Sequence, residues 1–198
     1  MRLALSSLPW TSGHPLLLPL RTMAQQFFGA DQAALQQWFS AVDKDRSGTI
    51  SVAELQQALA SGGLNFSMKL VSSMVRMFDA DRSASFSMNE FVQLHGFLAR
   101  IQAVFNQTDR DRRGVLDLNE LHQAFAAMGY QLDRAPGGSY YTLCQSFDHD
   151  RCGKFSLERF VAMCVLLQNG KGVFDSFACG GPQVTLNFDQ MVWAAALV

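Results

Sequence analysis

A twelve-residue segment rich in aspartate occurs four times along this chain of 198 residues. The copies are DKDRSGTISVAE from residue 43, DADRSASFSMNE from 79, DRDRRGVLDLNE from 109 and DHDRCGKFSLER from 148. Each copy has acids at its first and third positions, a bulky apolar residue at its eighth, and apolar segments of helical period on both sides. Four copies in phase would rarely arise by chance. They predict a chain built from repeated helix–loop–helix units.

The oxygen-bearing residues in this repeat have the spacing of an EF-hand calcium loop. Ca²⁺ takes six to eight oxygen ligands, which such a loop supplies from positions 1, 3 and 5, the carbonyl at 7 and a bidentate glutamate at 12. Glycine at position 6 permits the sharp turn. The eighth residue of each loop is expected on a short strand that pairs with a neighbouring loop. The predicted fold class is therefore all-α, with EF-hands and short paired loop strands.

The intervals between the loops predict how the hands are joined. The loops begin 36, 30 and 39 residues apart, and only 18 residues separate Glu90 from Asp109. Those 18 residues make about 27 Å of helix, so a single helix is expected to leave the second hand and enter the third. A further step of 30 residues predicts a fifth loop from Ala178. Gly170 and Gly172 are expected to weaken or kink the helix before it.

The 36–30–39–30 spacing resembles the penta-EF-hand family, and VDKDRSGTIS at 42–51 resembles its programmed cell death protein 6 and peflin branch. The resemblance covers residues 23–198 and implies about eight helices. The hands are expected at about 31–63, 67–98, 97–130, 138–167 and 166–198. Residues 1–22 are expected to be a flexible leader, with a targeting segment or an extension ahead of Met23 as alternatives. Prolines and Gly13 interrupt the apolar run that a secretory signal or a membrane span requires.

The first two loops carry complete or nearly complete ligand sets. The candidate ligands of the first loop are Asp43, Asp45, Ser47, the carbonyl of Thr49, and Glu54, with Ser51 acting through water. Those of the second loop are Asp79, Asp81, Ser83, the carbonyl of Ser85, and Glu90. Ala84 replaces the glycine in the second loop, and a positive φ at alanine costs about 1 kcal/mol. We therefore expect weaker binding in the second loop than in the first.

The remaining loops depart further from the pattern. The third offers Asp109, Asp111, the carbonyl of Val115, and Glu120. Its fifth position is Arg113, which cannot coordinate a cation, so reduced affinity is expected although the resemblance implies a principal calcium site here. The fourth loop has Arg159 at position 12 and is expected to be structural, and the fifth has no acid before Asp189 and is not expected to bind calcium. Mg²⁺ is the alternative ion at the weaker sites.

The fifth hand is predicted to be a dimer interface. EF-hand loops pair two by two, so pairing of the first with the second and the third with the fourth leaves the fifth without a partner. The segment from Val184 to Leu186 is its candidate pairing strand, and an apolar closing helix follows. An unpaired strand beside apolar helices needs a covering chain. We therefore expect a homodimer, or a heterodimer with another penta-EF-hand chain, through Val184, Leu186, Phe188, Met191 and Trp193.

Composition argues against other classes of function. The net charge is −1 with no basic run, so a nucleic-acid partner is not expected. The four cysteines have no metal-finger spacing and predict reduced thiols in a cytoplasmic protein. No motif frames Cys144 with His149, or His122 with nearby acids, as a catalytic pair, so no enzymatic activity is expected.

The sequence favours a calcium sensor or adaptor. Calcium would neutralise the loop carboxylates, re-orient the flanking helices and make apolar surface available to a partner. Sixteen Phe and nine Met suit such a surface, although side chains of this kind also form ordinary cores. The resemblance implies partners with proline-rich or apolar peptide segments and reversible, calcium-dependent association with membranes. The family's Gly/Pro-rich N-terminal arm is not found here, so attachment through such an arm is not expected. Alternatives are a regulatory subunit of a calcium-dependent enzyme and a calcium buffer.

Overall fold

The structure, a computed structural model, describes residues 32–61, 64–79, 81–178, 181 and 183–197. For residues 32–34 and 193–197 it describes the backbone alone. The leader predicted over residues 1–22 and the predicted beginning of the first hand at 31 lie outside these ranges.

The described chain contains eight helices separated by loops. They are α1 Gln32–Val42, α2 Val52–Ser61, α3 Met68–Phe78, α4 Met88–Thr108, α5 Leu118–Met128, α6 Ser139–Phe147, α7 Leu157–Ala178 and α8 Phe188–Leu197. The four strands have two residues each: β1 Ile50–Ser51, β2 Ser85–Phe86, β3 Val115–Leu116 and β4 Phe155–Ser156. The predicted all-α EF-hand fold with short loop strands is therefore confirmed.

The strands join the loops in two pairs. β1 pairs antiparallel with β2, so that Ile50 lies opposite Phe86. β3 pairs antiparallel with β4, so that Leu116 lies opposite Phe155. These four side chains, each at the eighth position of its loop, are 0% exposed. Each pair of loops therefore shares a small buried apolar contact directly beside its acids.

The helices begin and end where local hydrogen bonds satisfy the backbone. Ser87 and Glu90 form a capping box at the start of α4, and Asp117 and Glu120 form another at the start of α5. At the other end, the first acid of a loop is the residue at which the entering helix ends. The N–H of Asp109, for example, donates to the carbonyl of Phe105 at 2.8 Å. The helix end therefore fixes the first candidate ligand of the loop.

Two long helices connect the hands. α4 is continuous over 21 residues and is shared by the second and third hands, as the spacing predicts. α7 is continuous over 22 residues, so Gly170 and Gly172 do not interrupt it. Each glycine costs a helix about 1 kcal/mol relative to alanine. Burial of the first half of the helix, including Phe160 and Val161, anchors α7 in the core.

The core runs through both pairs of hands without a break. α4 contacts α1, α5 and α7, and α3 contacts α7. The Phe39 and Phe91 rings meet edge-on at 5.7 Å, whereas Phe160 lies 6.0 Å from Phe105 and 5.5 Å from Phe125. Helices from both halves therefore stabilise each other through aromatic contacts.

His95 on α4 is a buried titratable side chain among the aromatic rings of this core. It is 9% exposed, and its ring lies 4.9 Å from that of Trp38 and 6.1 Å from that of Phe91. Burial among these rings disfavours the charged imidazolium and lowers the pKa of His95 from 6.5 to about 3. The folded protein therefore keeps this histidine neutral through the mildly acidic range.

We predict that His95 makes the metal-free protein less stable as the pH falls from 6.5. Below pH 6.5 the His95 imidazole is protonated in the unfolded chain, whereas in the folded chain it stays neutral down to about pH 3. The free energy of unfolding should therefore fall by up to about 1.4 kcal/mol per pH unit. Urea unfolding between pH 6.5 and 5, in chelator, measures this slope.

His95→Gln should flatten that slope, because glutamine does not titrate. The matched control is His149→Gln, which alters an exposed loop histidine and should leave the slope as in the wild type. Equal slopes for the wild type and His95→Gln would contradict the assignment.

Candidate metal centre

All four loops close around their first acid in the same way. In the first loop, Asp43 accepts the N–H of Ser47 on Oδ1 at 3.0 Å and that of Gly48 on Oδ2 at 2.9 Å. The first acids of the other loops accept the corresponding pairs of N–H groups at 2.8 to 3.1 Å. In each loop, these two hydrogen bonds to the first acid therefore close the turn.

The first loop brings its five predicted ligands to one place. Carboxylate oxygens of Asp43, Asp45 and Glu54 lie within 4.8 Å of one another. Glu54 reaches back from α2, where its Oε1 accepts the N–H of Lys44 at 2.8 Å. Its Oε2 accepts both the N–H and the hydroxyl of Ser51, at 2.9 and 2.7 Å. Positions 5 and 7 also meet, because the Ser47 hydroxyl donates to the Thr49 carbonyl at 2.9 Å.

Hydrogen bonds favour the charged form of two carboxylates in the first loop. Those from Ser47 lower the pKa of Asp45, and those from Ser51 lower the pKa of Glu54. Like charges this close repel each other by about 1–4 kcal/mol, depending on how much water screens them. A divalent cation among these oxygens would turn the repulsion into attraction, so the donor set fits Ca²⁺.

The second loop gathers the same kinds of group. Oxygens of Asp79, Asp81 and Glu90 lie within 4.8 Å of one another, and Glu90 is buried. The Ser83 hydroxyl donates to the carbonyl of Ser85 at 3.1 Å. Hydrogen bonds from Ser83 also lower the pKa of Asp81. The predicted ligands of the second loop are thus brought together as in the first.

Ala84 has the strained backbone that its position predicts. Its φ is +59°, and its N–H donates to Asp79 Oδ2 at 2.9 Å. Gly48 makes the same hydrogen bond in the first loop with a φ of +84°. The second loop therefore keeps the geometry of a glycine turn, and the left-handed conformation of Ala84 destabilises it relative to a loop with glycine there.

The third loop does not gather its predicted ligands in this way. The Nε atom of Arg113 lies 2.5 Å from Asp111 Oδ2, and this hydrogen bond holds the pKa of Asp111 below its usual range. Glu120 accepts the N–H of Asp117 at 3.0 Å. Among the residues that the structure describes, the groups with three close ligand atoms lie in the first, second and fourth loops. Arg113 would compete with a metal ion for Asp111, and the reduced affinity expected of this loop stays a prediction.

The fourth loop contains a cluster that the sequence reasoning missed. Ligand atoms of Asp148, Asp150 and Cys152 lie within 4.8 Å of one another, and the guanidinium of Arg159 is 2.9 Å from Asp150. The signal for this cluster in the sequence is the basic residue at position 12, Arg159. Glu158, one residue before Arg159, accepts the backbone N–H of Asn65 at 2.8 Å.

The predicted fifth loop lies partly outside the described residues, at 179, 180 and 182. Residues 183–187 form no strand with the rest of the described chain, so the strand predicted over 184–186 is not seen within one chain. The first hand pairs with the second and the third with the fourth, which leaves this segment unmatched. Asp189, its predicted sole acid, is exposed in the first turn of α8.

Apolar side chains beside this segment face solvent. Val184 and Leu186 are half-buried, whereas Phe188 is 72% and Met191 52% exposed. The side chain of Trp193 lies outside the described residues. Two exposed residues on the contacting helices α7 and α8 were not predicted, Phe174 at 40% and Val192 at 51%. We call Phe174, Phe188, Met191 and Val192 the C-terminal apolar patch.

Among the described helices, none is both long enough and apolar enough to cross a membrane.

Comparison with known proteins places these loops in a family. A family model described as an EF-hand domain pair matches residues 32–94. Peflin from Danio rerio is 37% identical over 134 residues, which are 67% of this chain and 49% of peflin. Sorcin from Schistosoma japonicum is 35% identical over 170 residues, 85% of this chain and 97% of sorcin. The chain spans about half the length of the peflins it matches.

The solved structure of a homolog of programmed cell death 6 protein from Leishmania major Friedlin is similar to this fold. Its sequence is 32% identical, the match covers 82% of this chain and 92% of that one, and the TM-score is 0.61. These similarities confirm the resemblance found in the spacing of the loops. The chain belongs to the penta-EF-hand family of calcium-binding proteins, in which it is similar to peflin and to programmed cell death 6 protein.

Proposed function

We propose that this chain is a calcium-dependent sensor or adaptor that binds Ca²⁺ chiefly through its first loop. The observation that carries this proposal is the gathering of Asp43, Asp45 and Glu54 oxygens within 4.8 Å of one another. Ser47 and the Thr49 carbonyl complete a set of five groups. All of these donors are oxygen atoms, and the three carboxylates carry three negative charges, which suits a hard divalent cation.

The other loops would contribute less. Ala84 weakens the second loop, and Arg113 holds an acid of the third. Mg²⁺ would compete best at these weaker sites, since it binds with few protein ligands and keeps several waters.

Calcium in the first loop would link two helices that pack into the core. Asp43 follows the end of α1, and Glu54 lies in the first turn of α2. An ion that draws these two carboxylates together changes the angle between the helices. α1 also carries Trp38, which is 6% exposed and lies against His95 of the shared helix α4. The signal would thus pass from the ion to the core and then to a partner-binding surface.

We further propose that the C-terminal apolar patch and the fifth-hand segment form a dimer interface. The other four loops pair within the chain, whereas residues 183–187 have no strand partner among the described residues. Exposed apolar side chains in a cluster typify interaction sites. Val184, Leu186, Phe188, Met191 and Trp193 are the proposed interface residues, and the partner is a second copy or another penta-EF-hand chain.

The proposed targets are proline-rich or apolar peptide segments of other proteins. We place the chain in the cytoplasm and propose that it associates with membranes when calcium is bound. A regulatory subunit and a calcium buffer are the alternatives: the first pairs with a different chain, and the second binds calcium without exposing apolar surface. Catalysis by Cys144 is disfavoured, because burial raises the pKa of its thiol.

We predict that Glu54→Gln removes most of the calcium response. The substitution keeps the shape of the side chain but deletes the charge that closes the first loop. Calorimetry with Ca²⁺ should show the loss of the tightest site, and binding of a hydrophobic dye and Trp38 fluorescence should stop responding to micromolar calcium. Glu158→Gln is the matched control, since that glutamate lies outside the loop cluster and should leave the response intact. Calcium binding without any dye response in the wild type would favour the buffer.

We predict that Ala84→Gly and Gly48→Ala have opposite effects. Both residues have positive φ, where alanine is disfavoured by about 1 kcal/mol. In chelator, the glycine variant should raise the free energy of unfolding by about that amount, and the alanine variant should lower it. Calcium affinity should change only by the part of this cost that the metal-free loop does not already bear, which is at most about fivefold in each direction. Urea unfolding and calorimetry measure both effects, and changes of the same sign would contradict the assignment.

We predict that Phe188→Asp yields monomers. Phe188 is 72% exposed in the single chain, so an acid there should leave the fold intact while placing a charge in the proposed interface. Light scattering after size-exclusion chromatography gives the mass. The control Met68→Asp places the same charge at another exposed apolar side chain, 45% exposed, and should remain dimeric. A dimer that survives Phe188→Asp together with Val184→Asp and Trp193→Ala would rule out this interface.

A further inference from the structure

The fourth loop keeps the backbone of a metal-binding loop although it lacks an acid at position 12. Asp148 accepts the N–H of Cys152 on Oδ1 at 3.0 Å and that of Gly153 on Oδ2 at 2.9 Å. Asp43 accepts the same pair of N–H groups in the first loop. β4, at positions 8 and 9 of the loop, is paired, and its Phe155 is 0% exposed. The loop is therefore fully formed without the glutamate that normally completes it.

The guanidinium of Arg159 lies among the groups at positions 1, 3, 5 and 7. Its Nη2 is 2.9 Å from Asp150 Oδ1, and its Nη1 is 3.8 Å from Asp148 Oδ1. Nη1 also donates to the carbonyl of Lys154 at 3.0 Å and lies 4.0 Å from the Cys152 sulfur. These four positions supply the ligands of the ion in a metal-binding EF loop. The positive charge of Arg159 thus lies where the metal would lie.

Arg113 in the third loop has a different arrangement. It forms its ion pair with Asp111, and the two side chains are 46% and 47% exposed. Arg159 is 31% exposed, and its two acids Asp148 and Asp150 are 16% and 57% exposed. Arg159 also comes from the first helical turn of α7, so the helix backbone directs its side chain into the loop. The first arginine pairs with a single acid, whereas the second lies close to both acids of its loop and to the carbonyl at position 7.

The charges agree with this geometry. Hydrogen bonds from its own backbone N–H and from Arg159 hold the pKa of Asp150 below its usual range. Partial burial lowers the pKa of Arg159. The hydrogen bond to Asp150 and its negative charge have the larger combined effect, so the pKa of Arg159 is raised overall. Two acids and one arginine give this centre one negative charge, against three in the first loop, so it attracts a divalent ion less.

The geometry points to Arg159 as a built-in cation that replaces Ca²⁺ in the fourth loop and holds β4 against β3 at every calcium concentration. The third loop then has its strand partner in place before any ion binds, because Leu116 and Val115 pair with Phe155 and Ser156. One of the two tests below counts bound Ca²⁺, and that test rests on the proposed calcium binding. The other test is made without metal and does not depend on it.

Amide hydrogen exchange in chelator tests this inference without any metal. Arg159→Met keeps most of the side-chain stem and removes the charge, so amides of residues 152–156 should exchange at least about tenfold faster. Amides of α4 serve as the internal reference for global stability. Arg159→Lys should retain part of the protection, and the control Arg151→Met, which changes an exposed arginine of the same loop, should retain all of it. Unchanged protection in Arg159→Met overturns the inference.

A second experiment asks whether removal of the arginine opens a metal site. Arg159→Glu restores the acid at position 12, and calorimetry should then count one more Ca²⁺ per chain than in the wild type. Arg151→Glu makes the same charge change in the same loop and should add none. A folded Arg159→Glu that gains no ion overturns the placement of the guanidinium at the metal position. If the wild type binds no calcium, the proposed function fails, and the exchange data in chelator still decide this inference.

Discussion

One aspartate at the end of each entering helix supports the rest of its hand. The carboxylate accepts two backbone N–H groups of the loop that follows, and these hydrogen bonds close the loop. The closed loop places the apolar residue at position 8 on a short strand, where it is buried against its counterpart in the paired loop. Helix end, loop and strand pair therefore form one unit, and the core is assembled from such units.

Closing a loop in this way gathers negative charge, and the loops compensate it differently. The first and second leave their carboxylates close together, an arrangement that suits an external divalent cation. The third pairs one acid with Arg113 at the surface, and the fourth directs Arg159 into its centre. A single repeat can thus leave its acids close together or pair them with an arginine, depending on where a cationic side chain stands in the loop.

This difference separates the two halves of the molecule. Each loop of the first pair brings three carboxylates close together, and helix α1 before it carries Trp38 against the shared helix α4. The second pair is held by contacts within the protein, including the aromatic cluster around Phe160. The hydrogen bond from Asn65 to Glu158 and the packing of α3 on α7 join the halves. The two halves therefore pack against each other, and the C-terminal apolar patch lies on α7 and α8.

The sequence by itself determined the repeat, the fold class, the shared helix and the composition of each loop, because these follow from residue spacing along the chain. It also predicted the strain at Ala84, since position 6 of the loop requires a positive φ whatever residue stands there. Tertiary structure decided where the long side chains go. Arg159 and Arg113 are both basic residues at ligand positions, yet one enters its loop from a helix and the other lies along the surface. That direction depends on the backbone that carries each side chain and on the neighbours around it, which spacing along the chain does not encode.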